Sequence, residues 1–432
     1  MRILIKNGQV LDPSQNLDAC MDVLIEDGVI AAVGRHIKET ADQVIDAQGL
    51  AVMPGFIDLH VHFREPGFEY KETIATGSKA AARGGFTSVC PMPNTKPVID
   101  SVEMIRYLKE KEKTESIVHI LPVGAVTKNQ EGKEVTDIPA MVKEGMVAIS
   151  EDGKSVMDSA IYAQAMKLAA KENIPVLAHC EDKNLVRGGV MNAGSKAESL
   201  GLKGITNAVE DIIVARDIQL AKETGARLHL CHCSTKDSAE YVRQAKKWGV
   251  QVSGEVCPHH FTLCDQDIAK DDANYKMNPP LRSREDVEAL KKALKENVME
   301  AISTDHAPHS TEEKNQSIAK APFGIVGLET AFALAVTELV DTGYLTKLQL
   351  VERMSTNPAR IIGIEKGTLK VGSAADVVIA DFEQECRIDK FKFASKGTNT
   401  PFHNRTVRGC VRMTFVDGKM VYNIEKEEVK ND

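Results

Sequence analysis

The fold class this sequence predicts is α/β: a (β/α)8 TIM barrel with a small β-sandwich domain formed from both chain termini. Three observations carry it. Eight short β-rich runs alternate with helical stretches through the middle of the chain, hairpin-like strands occupy both ends, and polar residues collect where the middle runs stop. At 432 residues the chain exceeds a usual single domain, and one large barrel with additions accounts for the length. Eight βα repeats across about 280 residues agree with a barrel whose typical size is about 250.

The first segment, 1–52, holds short apolar strands broken by Asn7-Gly8, Asp12-Pro13, Asp27-Gly28 and Gly34, punctuation that suits hairpins. The last segment, 365–432, repeats that style. Gly367 and Gly372 precede Ala375-Asp376-Val377-Val378-Ile379, and Phe415 to Val421, turning at Asp417-Gly418, mirrors Ile25 to Ile30, turning at Asp27-Gly28. One β domain assembled from both termini follows, ending in a Lys- and Glu-rich tail, Glu425 to Asp432, expected as a solvated, frayed end. Between them, 53–364 carries the barrel. Its runs are Phe56 to His60, Thr87 to Met92, Ile117 to Val123, Val147 to Ser150, Pro175 to His179, Arg227 to His232, Gln251 to Val256 and Ala301 to Asp305. Helical patterns fall between them at Lys71 to Arg83, Asp158 to Lys171, Asn207 to Thr224 and Glu285 to Lys295, the alternation of a parallel sheet crossed by helices.

Composition removes several function classes. The formal charge of −8 leaves no basic surplus for phosphate backbones, so nucleic acid is not an expected partner. No apolar stretch approaches the roughly 18 residues of a membrane span, and the N-terminus reaches Asn7-Gly8 before any signal-like core, so a cytoplasmic protein is expected. Nine cysteines, an odd number scattered through a long chain, are expected as reduced thiols.

In a TIM barrel the C-terminal ends of all the strands open onto one face, where catalytic groups are found. The first run ends His60-Val61-His62, the fourth is followed by Glu151-Asp152, and the fifth, sixth and eighth end at His179, His232 and Asp305. Each alone reads more simply as a hydrogen-bonded structural residue, and Asp152 or Asp305 as a helix cap. Their shared position argues otherwise. Four imidazoles and two carboxylates suit one or two zinc ions, and His-x-His at a strand end puts both rings on one side. Cys231-His232-Cys233 and His179-Cys180 lack the Cys-x-x-Cys spacing of structural zinc sites, and strand alternation turns Cys231 and Cys233 from the face of His232, so these thiols read as packing residues. His229 reads as an interior histidine, and His259-His260 either as lining of the site or as structural.

The run Asp58-Leu59-His60-Val61-His62-Phe63-Arg64-Glu65-Pro66-Gly67 resembles the first signature of the dihydroorotase family within the amidohydrolase superfamily. Ser303-Thr304-Asp305-His306-Ala307-Pro308-His309, followed by Lys314, is similar to the second, and Pro91-Met92-Pro93-Asn94-Thr95 to a third. The resemblance spans the chain, since the terminal segments resemble the composite β domain that flanks the family's barrel. It implies His60, His62 and Asp305 on one zinc and His179 and His232 on another. Where many superfamily members bridge their metals with a carbamylated lysine, no lysine follows the fourth run until Lys154, and Asp152 resembles the bridging aspartate of one dihydroorotase class. The family pattern further implies Asp305 as the catalytic proton carrier and substrate contacts from His62, Phe63, Arg64, Asn94, Asn278, His309 and the Phe323-Gly324 backbone. Asn278, ahead of Pro279-Pro280, fits a plain turn equally well.

Arg64 separates readings within the superfamily. Allantoinases carry Asn at this place and hydantoinases lack the Arg-Glu-Pro-Gly run, whereas a guanidinium grips a ring carboxylate bidentately, with Asn94 adding a donor. The resemblance therefore implies a reversible conversion between dihydroorotate and N-carbamoyl-aspartate in pyrimidine synthesis, with zinc acidifying water for attack and Asp305 moving the proton to and from the ring nitrogen. It also implies a homodimer and association with aspartate transcarbamoylase. The rivals are an allantoinase or hydantoinase, which Arg64 opposes, and an inactive homologue serving as a scaffold, expected to have lost ligands that are all present here.

Overall fold

The computed structural model describes residues 1–426. Of the tail expected as frayed, Glu425 and Lys426 are exposed, and residues 427–432 lie outside the described part. The chain opens with β1 (Arg2–Asp12), β2 (Leu17–Glu26), β3 (Val29–Gly34), β4 (Gln43–Asp46) and β5 (Ala51–Pro54). Then come β6 (Phe56–Val61), β7 (Phe86–Pro91), β8 (His119–Ile120), β9 (Val123–Ala125), β10 (Ala148–Ser150), β11 (Val176–Ala178), the small ladder β12 (Met191–Asn192) and β13 (Gly204–Ile205), β14 (Leu228–Leu230), β15 (Val252–Val256) and β16 (Ala301–Ile302). It closes with β17 (Val377–Arg387), β18 (Thr406–Val416) and β19 (Lys419–Asn423).

The two termini share one eight-stranded sheet, in the order β19-β18-β17-β5-β1-β2-β3 with β4 also on β1. They meet where β5 and β17 run antiparallel, Met53 opposite Val378. The sheet folds over its own core of Ile3, Ile5, Val23, Ile45, Val377 and Phe415, which produces the sandwich. The mirrored hairpins turn at Asp27-Gly28 and Asp417-Gly418, all four residues at positive φ, the conformation that matches strand twist in two-residue turns. Their tips touch, and a Cβ on Gly418 would stand 3.0 Å from the Gly28 Cα.

The barrel is built from two parallel arcs, β6-β7-β8 and β9-β10-β11-β14-β15-β16. The third expected run is split at Leu121-Pro122 because proline has no N–H to give a ladder, yet the ring continues through it. Leu121 N donates to Val89 O at 2.9 Å on one side, and Val147 N to Pro122 O at 3.0 Å on the other. The last gap closes where His62 N donates to His306 O at 2.8 Å. Asp58, fully buried, fastens the same seam by accepting from His60 N and Thr304 N, each at 3.1 Å. Its burial pushes its carboxyl up to about 7 against those hydrogen bonds.

Every residue of β6 and β7 is buried, as expected of parallel strands covered by helices on one side and barrel contents on the other. The helices begin where caps take their unpaired N–H groups: Thr73 for Ile74–Arg83, Asp158 for Ser159–Lys171 and Ser283 for Arg284–Lys295. Ala208–Thr224 ends at Gly225 in the left-handed conformation. These lie within three residues of the starts and ends read from the sequence. Among the described residues, no helix is long and apolar enough to cross a membrane.

Candidate active site and metal centre

All six residues singled out at strand ends converge at one mouth of the barrel, each of them buried. Asp152 sits at the centre: its Oδ1 lies 3.2 Å from His60 Nε2, 3.4 Å from His179 Nδ1 and 3.8 Å from His232 Nε2, and its Oδ2 lies 3.6 Å from His62 Nε2. Asp305 Oδ1 stands 3.1 Å from His62 Nε2 and 3.6 Å from His60 Nε2. His179 Nδ1 and His232 Nε2 are 2.9 Å apart. His232 and Asp305 are at positive φ, 36° and 47°, as is Arg64 at 60°. Such backbone costs of order 1–3 kcal/mol per residue and gathers at sites that the surrounding fold over-determines.

This donor set fits a metal ion. Nε2 of His60, which faces both Asp152 and Asp305, is buried without a hydrogen-bond partner, a condition buried polar atoms rarely tolerate. His60 Nε2 is close enough to Asp152 for a bond but poorly aligned for one, as suits ligands converging on a cation. Two groups, His60 with His62 and Asp305, and His60 with Asp152 and His232, hold their candidate ligand atoms within 4.8 Å of one another. The electrostatics agree. Burial opposes charge on His60 and His179, yet Asp152 draws His60 well up and Asp152 with Glu181 raises His179 to about 10. Against its own burial, Asp152 is held well below the carboxylate range by His60, His179 and His232, and Asp305 is brought down to about 2, chiefly by its His62 hydrogen bond. The cluster demands positive charge at its centre.

A cavity of 190 Å³ opens over the cluster, lined by His62, Arg64, Asn94, Asp152, His179 and Asp305 among others. Asn278, Phe323 and Gly324 line it too; Phe63 and His309 do not. The Phe63 ring is turned into the core against Gly77, so any contact from that position comes from backbone. Asn94 is committed to the cluster, its Oδ1 on His62 Nδ1 at 3.0 Å and its amide donating to Asp152 Oδ2 at 2.9 Å. One N–H remains for a ligand. Asn278 donates to Glu181 Oε2. His309, lowered to about 3 by burial and by Arg64 and Lys71, is neutral. Its Nε2 lies 2.7 Å from Phe323 O and 3.3 Å from Arg64 Nη2, and its Nδ1 3.3 Å from Lys71 Nζ and 3.4 Å from Glu313 Oε2; the Phe323 carbonyl can only accept, so Nε2 carries a proton.

Gly324 has φ 130°, and a Cβ there would lie 2.7 Å from the Ala307 Cβ and 3.0 Å from the Ala307 O. Gly324→Ala must displace Ala307, which also lines the cavity, at a cost of about 1–3 kcal/mol for overpacking. The expected result is weaker binding of the ligand this cavity holds, with metal content unchanged; binding equal to wild type would show that the wall has slack.

Sequence reading missed Glu255 and Glu181. Glu255 is wholly buried behind the cluster, with Oε1 3.2 Å from His232 N and 3.5 Å from His60 Nδ1, and Oε2 2.9 Å from His229 Nε2. A signal existed, since it is an acid inside a parallel strand buried at every other position but Ser253. Glu181 Oε2 lies 3.8 Å from His179 Nε2, and nothing in its loop marked it. His229 is interior, with Nδ1 2.8 Å from Ser253 Oγ. Cys231 packs among Ile57, Leu59 and Leu177 but shares the rear of His60 with Glu255; the left-handed turn at His232 breaks the alternation that was expected to separate them. His259 and His260 are buried beside Cys257, away from the cavity lining.

The sequence pattern of the Amidohydrolase family matches residues 51–421. A dihydroorotase of Caldanaerobacter subterraneus subsp. tengcongensis is 47% identical over 427 residues, covering 99% of each chain. One from Pelotomaculum thermopropionicum is 48% identical over 421 residues, covering 98% of each. Among solved structures, the L-hydantoinase of Arthrobacter aurescens superposes with a TM-score of 0.89 at 26% identity, covering 98% of this chain and 96% of that one.

Proposed function

The chain belongs to the amidohydrolase family, and from that membership we propose that it is a zinc-dependent dihydroorotase, interconverting (S)-dihydroorotate and N-carbamoyl-L-aspartate in de novo pyrimidine synthesis. One observation carries the substrate: Arg64 lines the same cavity as His62, Asp152, His179, His232 and Asp305. A guanidinium beside a metal-type cluster matches a cyclic amide that bears a carboxylate, which the substrates of hydantoinases and allantoinases lack.

His60, His62 and Asp305 would hold one zinc and His179 and His232 a second, with Asp152, which approaches all four histidines, available to both. Bound zinc supplies Lewis acidity, acidifying water and polarising an amide carbonyl. The chain's own residues do the rest. Arg64, anchored through Nε to Pro308 O at 3.1 Å, grips the carboxylate, and the free N–H of Asn94 adds to that grip. His62, Asn278 and the Phe323-Gly324 backbone wall the ring, and His309, outside the lining, supports that wall through its Nε2 on Phe323 O. Asp305 accepts the proton released on attack and delivers it to the departing ring nitrogen; in reverse it takes that proton back.

In this reading residues 53–364 carry the chemistry and 1–52 with 365–432 form the β domain. The protein works in the cytoplasm as a homodimer and associates with aspartate transcarbamoylase.

The test of the substrate assignment is Arg64→Lys, which keeps the charge and loses the fork. Dihydroorotate kcat/KM should fall by about 10- to 100-fold with zinc content intact. Unchanged kinetics would leave Arg64 a structural residue and remove the argument from the carboxylate.

A further inference from the structure

The segment that follows β17 does not stay with the terminal sheet. It returns to the barrel mouth, where Ser395, Asn399 and Thr400 are all buried. Asn399 spends its hydrogen-bonding groups on two loops that wall the cavity. Its Oδ1 accepts from His309 N at 3.1 Å, and its Nδ2 donates to Ala307 O at 3.1 Å and to Gly324 O at 3.0 Å. Its backbone O accepts from Val326 N at 3.0 Å. A side-chain amide offers two N–H donors and an acceptor oxygen, and here both donors and the oxygen are engaged.

Those loops hold the groups assigned to the substrate. One runs from Asp305 to His309 and the other from Pro322 to Val326. They are also joined by Ala307 N to Ile325 O at 2.8 Å, and Lys314 Nζ reaches the same Gly324 O at 2.9 Å. Asn399 does not line the cavity, so whatever it does for a ligand it does through these loops.

We propose that Asn399 is a positioning residue for the substrate, a clamp supplied by the C-terminal segment that holds His309 and the Phe323-Gly324 wall at the spacing the ring requires against Arg64. The proposal rests on the dihydroorotase reading of the cavity. The metal ligands lie on other strand ends, except Asp305 at the root of one clamped loop. Loosening the clamp therefore acts first on ligand fit.

The experiment compares Asn399→Ala and Asn399→Asp with wild type, measuring KM and kcat in both reaction directions, zinc content and thermal midpoint. Asn399→Asp keeps the size and the acceptor for His309 N but turns a carboxylate oxygen toward Ala307 O and Gly324 O, so it tests the clamp even where the alanine variant folds poorly. Both variants should raise KM for dihydroorotate and for N-carbamoyl-aspartate by about 10- to 100-fold, the signature of binding lost equally from ground and transition states, with kcat within a few-fold and zinc content unchanged. An unchanged KM overturns the clamp, as does activity lost in proportion to zinc or to folded protein at constant KM. A wild-type protein that turns over neither compound would overturn the functional reading itself, whereas active wild type with normal variants removes only the role of Asn399.

Discussion

Asp305→Asn should lose about 10³- to 10⁴-fold in turnover in both directions while keeping much of its zinc. The side chain is buried, its Oδ1 sits 3.1 Å from His62 Nε2 and 3.6 Å from His60 Nε2, and it lines the cavity. Asparagine keeps an oxygen in that position but cannot accept a proton at neutral pH. Both directions must fall together, because proton delivery to nitrogen in hydrolysis and removal from it in ring closure use the same group. Asp305→Ala should lose metal as well, since a ligand has gone. The measurement is zinc content beside forward and reverse rates for both variants. Near-normal turnover by Asp305→Asn would refute the proton carrier, and activity that tracks zinc content would leave Asp305 only a ligand.

Removal of metal should abolish turnover altogether, and zinc should restore it. Elemental analysis of the purified protein should find one to two zinc equivalents by the ligand count His60, His62, Asp152, His179, His232 and Asp305. The bare cluster draws protons to its centre: His60 is raised well above, and His179 to about 10, by Asp152 among others. Protons and zinc therefore compete for the same nitrogens. As pH falls below the raised values the protonated form gains, so zinc affinity should weaken toward acid and zinc uptake at neutral pH should release protons. Chelator competition across pH, with proton release followed by indicator, checks this. A metal-free preparation of full activity would end the proposal of a metal hydrolase.

Much of this was present in local sequence. Barrel strands were legible because parallel strands enclosed on both sides are short, continuous apolar runs, and the helices between them carry periodicity and caps at Thr73, Asp158 and Ser283. The cluster of strand-end residues was legible for a topological reason: every strand of a parallel barrel points the same way, so a polar residue at the end of one run must meet those at the ends of the others. Family resemblance added Arg64 and the carboxylate proposed for it. Where reading failed, local rules had been overridden. Pro122 split a strand without opening the ring, and the positive φ at His232 cancelled the alternation used to turn Cys231 from the face of His232.

The amino-acid sequence by itself determined the barrel, the composite β domain, the cluster of His60, His62, Asp152, His179, His232 and Asp305, and the class of chemistry they suit, since each follows from periodicity, chain direction and donor type. Only the tertiary structure decided that Glu255 stands behind His60, that Asn94 is shared with His62 and Asp152, and that Asn399 crosses from the C-terminal segment to join two loops 90 and 75 residues away. The reason is physical: a hydrogen bond between distant segments depends on where the whole chain brings its donors and acceptors, and no local pattern of residue types encodes that distance.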